Sequence, residues 1–174
     1  MPKIDKVLFS KEEIAVRVSE LGEQISKDYA DKSSLVCVEI LQGASIFTAD
    51  LVRKINYQDL TIDSMSLSSY GNETKSSGTV RILKDLKNPI EGKHVLIIED
   101  IIDSGLTMKY LINLLSAQNP ASIRVCSLLR KTKSDGVVNI DYYGFMIPDN
   151  AFVVGYGLDY AEKYRQLDHI ATMK

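Results

Sequence analysis

Long apolar runs are missing from this chain. No uninterrupted apolar stretch exceeds four residues, against the roughly 20 that a helix needs to span a bilayer. The opening residues, Met1-Pro2-Lys3-Ile4-Asp5-Lys6, lack the apolar core of a secretory signal. Cysteine is scarce too. Cys37 and Cys126 both fall in apolar stretches, which suits buried thiols rather than a disulfide. Two cysteines and two distant histidines, His94 and His169, supply no zinc site. Nor is there a surplus of either charge. Lys and Arg number 21 against 23 Asp and Glu, a formal net charge of −2, so no general electrostatic grip on nucleic acid or anionic membrane is expected. The phosphate loop G-x-x-x-x-G-K-[ST] is absent. Gly155-x-Gly157 has no third glycine or helical pattern after it and is not a dinucleotide fingerprint. These absences predict a cytoplasmic protein that binds neither nucleic acid nor membrane.

What remains is ordinary globular composition over 174 residues, 45% apolar and 25% charged, enough for one domain spanning 1–174 with a substantial core. Ser10 and Glu13 form a capping box ahead of Ile14, Val18, Leu21 and Ile25 at helical spacing. Leu35-Val36-Cys37-Val38 and Val95-Leu96-Ile97-Ile98 read as strands buried on both faces. A helix is expected over 45–54, a half-wet strand over 60–69 and a short return strand over 80–83. The polar, glycine-bounded stretch 70–78 between them reads as a loop. A second long helix is expected over 105–118, burying Met108, Leu111, Ile112 and Leu115 before Asn119-Pro120 stops it. Strands over 122–129, 142–146 and 152–154 complete the pattern. Strands alternating with helices predict an α/β fold with a mostly parallel sheet flanked by helices. A small hood subdomain is expected from the N-terminal arm and the residues after Phe145.

The most informative stretch is Val95 to Thr107. A buried strand runs into Glu99 and Asp100, a turn carries Asp103, and Ser104-Gly105-Leu106-Thr107 opens a helix. In open α/β sheets, ligands bind beyond the carboxyl ends of the strands. Small hydroxyl residues and a glycine at a helix N-terminus leave backbone N–H groups free for a phosphate. Three carboxylates beside a phosphate must face something else: a ribose diol, a Mg²⁺ ion or a departing proton. The pattern therefore suggests a phosphorylated sugar, with its phosphate on 104–107, its diol on Glu99 and Asp100, and its reactive centre near Asp103. An acidic strand end that only caps a helix is the plainer alternative.

Glu99-Asp100-Ile101-Ile102-Asp103-Ser104-Gly105-Leu106-Thr107 resembles the phosphoribosyl-diphosphate motif of type I phosphoribosyltransferases. It is most similar to that of the 6-oxopurine members, the hypoxanthine(-guanine) phosphoribosyltransferases. Weaker matches follow in family order: Ser69-Tyr70 heads a loop where the family has its catalytic lid, and Lys131 falls at its purine-contacting lysine. Phe152 to Tyr160 resembles the base-stacking and metal-binding segment, and Arg165 stands at a diphosphate-binding arginine. The resemblance implies Mg²⁺-dependent transfer of a phosphoribosyl group from 5-phosphoribosyl 1-diphosphate to a 6-oxopurine, giving IMP or GMP and diphosphate.

Residue by residue, it implies that Asp103 accepts the purine N7 proton and that Lys131 selects a 6-oxo group. Phe152 would stack on the base, and the Val153 carbonyl would read an exocyclic amine. Glu99, Asp100 and Asp159 would hold metal, with Asp159 also on the purine side. Gln42, Gly43 and Arg165 would bind diphosphate, while Ser69 and Tyr70 close over the reaction. It also implies a homodimer or homotetramer.

One departure stands out: Gln42-Gly43 replaces the family's Lys-Gly, a dipeptide often found with a cis peptide bond. Taken alone, several of these residues read otherwise. Arg130-Lys131-Thr132-Lys133 would be a solvated basic face, Phe152 would be core, and Asp159 and Arg165 would be plain surface residues. A regulatory protein that keeps the fold but not catalysis is the main rival in another class. The near-neutral charge and the presence of Asp103 speak against it.

Overall fold

The computed structural model describes residues 3–174 apart from 70–79. Strand β1 (Ile4–Phe9) leads into helix α1 (Lys11–Tyr29). The capping box forms as expected: Ser10 Oγ accepts from the Glu13 N–H at 3.2 Å and Glu13 Oε2 accepts from the Ser10 N–H at 2.8 Å. The chain continues through β2 (Leu35–Leu41), α2 (Ser45–Val52), β3 (Leu60–Ser69), β4 (Val80–Lys84) and β5 (His94–Ile102). It closes with α3 (Leu106–Ser116), β6 (Ser122–Lys131), a 3₁₀ turn (Thr132–Ser134), β7 (Tyr142–Ile147), β8 (Val153–Val154) and β9 (Ile170–Met173).

Six strands make the main sheet in the order β4-β3-β2-β5-β6-β7. Every pairing is parallel except that of β4 with β3 at the edge. Because side chains alternate across a strand, the sheet feeds two cores. Cys37, Leu96, Ile98, Cys126 and Leu128 pack with Ile14, Val18, Leu21 and Ile25 of α1 and with Phe47 and Leu51 of α2. Val36, Val38, Val95, Ile97 and Val125 pack with Met108, Leu111 and Leu115 of α3. Both cysteines are free and fully buried.

Several boundaries differ from expectation. Helix α2 ends at Val52. Gly105 caps α3 rather than lying within it, and Ile112 is only half-buried. Strand β5 carries on past Ile98 to Ile102, so Glu99 and Asp100 lie within the strand, and β6 extends to Lys131. The hood begins later than Phe145, because β7 pairs with β6 as far as Ile147. Its sheet, β1-β9-β8, is antiparallel and joins the two ends of the chain. Phe9 stacks on Phe145, with ring centroids 4.0 Å apart, where the hood meets the main sheet.

Candidate active site

The parallel strands place their carboxyl ends on one side of the sheet, where β5 ends at Ile102 and β6 at Lys131. Strand β5 pairs with β2 only as far as Ile98 but keeps β6 to Ile102. The gap left by β2 is filled by the backbone at Gly43. A Cβ at Gly43 would lie 1.8 Å from Asp100 Oδ2, and one at Gly157 would lie 2.2 Å from the Gly43 carbonyl oxygen. The Asp100 carboxylate, Gly43 and Gly157 are therefore packed without room for a side chain at either glycine. Gly157 also sits at φ +102°, a conformation that side chains oppose. The cis peptide bond lies between Leu41 and Gln42, one position before the Gln42-Gly43 dipeptide. The Gln42 side chain is exposed.

A pocket of about 190 Å³ is lined by Glu99 to Gly105 together with Thr107 and Met108. Gly105 adopts φ +82°, and a Cβ there would come within 2.9 Å of Val138 Cγ1. This glycine lets the chain turn from Ser104 into α3, whose N-terminus carries no side-chain cap. Its first N–H groups are free to face an anion, save that of Leu106, which donates to Ser104 Oγ at 3.4 Å. The Leu106 side chain is exposed and lies outside the pocket lining.

Desolvation holds the Glu99 carboxyl well above the usual carboxylate range, and the neighbouring Asp100 charge pushes it further. Oxygen donors of this kind suit Mg²⁺, which is commonly held by one or two carboxylates and completed by substrate phosphates. No group of three ligating side chains forms among the described residues. Asp159 belongs to a separate cluster. Its Oδ1 lies 3.0 Å from Arg165 Nη2 and its Oδ2 accepts the Glu162 N–H at 2.8 Å. Arg165 also donates to the Gly157 carbonyl at 2.8 Å and lies 3.2 Å from Glu162 Oε2. Both Asp159 oxygens are thus engaged within the 157–165 segment, apart from Glu99 and Asp100.

Across the pocket mouth, Lys131 Nζ lies 3.4 Å from Asp103 Oδ1 and Lys133 Nζ lies 2.6 Å from the same oxygen. Within the basic run Lys131 is buried at the end of β6 and Arg130 covers the Tyr143 ring and pairs with Asp135, while Thr132 and Lys133 are exposed. Phe152 is not core either. It is 52% exposed and meets Tyr160 edge-on at 5.8 Å, while Val153 beside it is buried in β8. Ser69 ends β3, so its backbone reaches the same side of the sheet, whereas Tyr70 and the expected 70–78 loop lie outside the described residues. The sequence assigns no individual role to Lys133, Gly157 or Tyr160, although Gly157 belongs to the Gly155-x-Gly157 pair and Tyr160 ends the 152–160 segment.

Known proteins resemble this chain over nearly its whole length. A family model described as a phosphoribosyl transferase domain matches residues 6–161. The hypoxanthine-guanine phosphoribosyltransferase of Dictyostelium discoideum is 51% identical over 97% of this chain and 95% of its own. That of Bacillus subtilis is 49% identical over 98% and 94%. Among solved structures, a Staphylococcus aureus hypoxanthine phosphoribosyltransferase superposes with a TM-score of 0.91 at 45% identity, covering 98% of this chain and 92% of that one. A Trypanosoma cruzi hypoxanthine phosphoribosyl transferase, studied for the role of its C-terminal region in oligomeric state and activity, gives 0.90 at 40%, covering 98% and 92%. With the fold, the strand-end pocket and these likenesses in hand, the chain belongs to the phosphoribosyl transferase family.

Proposed function

We propose that this protein is a purine-salvage enzyme that transfers the 5-phosphoribosyl group from 5-phosphoribosyl 1-diphosphate to hypoxanthine and guanine, giving IMP or GMP and diphosphate. The likeness to hypoxanthine-guanine phosphoribosyltransferases over nearly the whole chain supports this reading. The observation that carries it is the meeting of Asp103 with Lys131 beside a pocket open to an anion.

The residues divide the work by chemistry. Free N–H groups over 104–107 bind the 5′-phosphate, and Glu99 and Asp100 face the ribose diol. The Gly43 and Gln42 backbone and the Arg165 fork receive the diphosphate; Arg165 gives up Glu162, whose side chain is 77% exposed, to do so. Asp103 takes the proton that the purine releases as its ring nitrogen attacks the anomeric carbon, general-base work worth about 10²–10⁴-fold. Lys131 can only donate, so it favours a 6-oxo over a 6-amino group. Phe152 offers an exposed ring for stacking and the Val153 carbonyl reads an exocyclic amine. Ser69 and Tyr70 begin the segment that excludes water. Glu99, Asp100 and Asp159 are the carboxylates that would hold Mg²⁺, which would supply positive charge to offset that of the leaving diphosphate. The enzyme works in the cytoplasm as a homodimer or homotetramer.

The test offers purified protein Mg²⁺, phosphoribosyl diphosphate and, in separate reactions, hypoxanthine, guanine, xanthine, adenine or uracil. Diphosphate release is expected with hypoxanthine and guanine. Silence with every base would remove the enzyme reading, and activity with adenine alone would remove the role of Lys131.

A further inference from the structure

Two ammonium groups converge on one carboxylate oxygen, and they do so unequally. Lys133 stands 2.6 Å from Asp103 Oδ1 and Lys131 stands 3.4 Å from it. The longer contact belongs to the more buried cation: the Lys131 side chain is 11% exposed and that of Lys133 is 41% exposed. Among the described residues neither ammonium pairs with any other carboxylate. A buried ammonium costs free energy unless its donors are used, so Lys131 is the cation with unspent capacity. From these distances we infer that Lys133 is a positioning residue that holds Asp103 and so keeps Lys131 available to the purine carbonyl.

The argument is competitive. An ammonium and a carboxylate left alone close to about 2.8 Å. A Lys131–Asp103 pair at that distance would spend a donor that the base needs. It would also draw the proton-accepting oxygen towards the lysine. Lys133 already occupies that oxygen, and its like charge opposes closer approach by Lys131. The backbone is arranged to keep Lys133 in place. The 3₁₀ turn Thr132–Ser134 is fastened by Asp149, which accepts from the Lys133 N–H at 3.2 Å and from Thr132 Oγ1 at 2.9 Å. Ser134 Oγ donates back to the Lys131 carbonyl at 2.7 Å. Lys131, just before the pinned turn, and Lys133, at its middle, therefore meet at Asp103.

This inference rests on the roles given above to Asp103 and Lys131, and the experiment separates the two. Steady-state kinetics are run on Lys131→Ala, Lys133→Ala, Lys133→Arg and Lys133→Gln with hypoxanthine and phosphoribosyl diphosphate each varied. Lys133→Ala is expected to raise KM for hypoxanthine about fivefold and to leave KM for phosphoribosyl diphosphate within about twofold. Lys133→Arg should restore the hypoxanthine KM, whereas Lys133→Gln should not. A purine KM unchanged by Lys131→Ala overturns the role of Lys131 itself. If Lys131→Ala raises that KM and Lys133→Ala does not, the positioning role alone fails. It fails equally if Lys133→Ala acts mainly on the anionic phosphoribosyl diphosphate, the signature of a general field.

Discussion

Asp103 keeps more than half of its side chain open to solvent while one oxygen faces two lysines. That arrangement suits a base that must meet a ligand and return a proton. Asp103→Asn keeps the shape and the turn but cannot accept the proton. We expect turnover to fall about 10²–10⁴-fold while IMP binding, measured by calorimetry, stays within about threefold of wild type. Near-normal turnover would displace Asp103 from the proposed role. The acidic motif was readable because its residues are contiguous, from Glu99 to Thr107. Lys133 was not, because its meaning depends on a turn that folds a lysine back onto a residue some thirty positions earlier. Taken without the resemblance, Phe152 reads as core for a related reason: it is an aromatic at the head of an apolar strand, yet β8 is a two-residue strand whose flank is open.

At the scale of elements, α1 shows how directly a local signal can act. Ser10 and Glu13 satisfy two backbone donors reciprocally, and the stripe Ile14, Val18, Leu21 and Ile25 is then wholly buried. Ser10→Ala should cost about 1 kcal/mol in urea-unfolding free energy with kinetic constants unaltered, since the Ser10 hydroxyl bonds only within its own cap. Strand β5 and helix α3 were equally legible from their apolar patterns. The hood was less so. Strands β1 and β9 are short, and Ile4 and Val7 remain exposed on a pairing edge. Neither alternation nor helical spacing marks a strand whose partner lies at the other end of the chain, with Ile4 opposite Met173.

For the whole molecule, dense burial has a consequence at high pH. Burial pushes the Cys37 thiol up to about 12 and raises Cys126 as well, and it raises the phenols of Tyr29, Tyr142 and Tyr156. Above the unfolded thiol value of 9.0, the unfolded chain loses protons that the folded one keeps, so stability must fall as pH rises. Each such group contributes a slope of about 1.4 kcal/mol per pH unit between its unfolded and folded values. Urea midpoints at pH 8, 9, 10 and 11 should therefore decline with steepening slope. A flat profile would contradict the enclosure of these groups.

The same closeness governs the backbone beneath the site. Asp100, Gly43 and Gly157 are stacked without space for a methyl group between them, while the Gln42 side chain points into solvent. Position 42 is thus free to exchange charge for neutrality, as the glutamine itself illustrates, whereas positions 43 and 157 admit no such drift. A mutational library built over this region would show an abrupt boundary between a permissive residue and its intolerant neighbour.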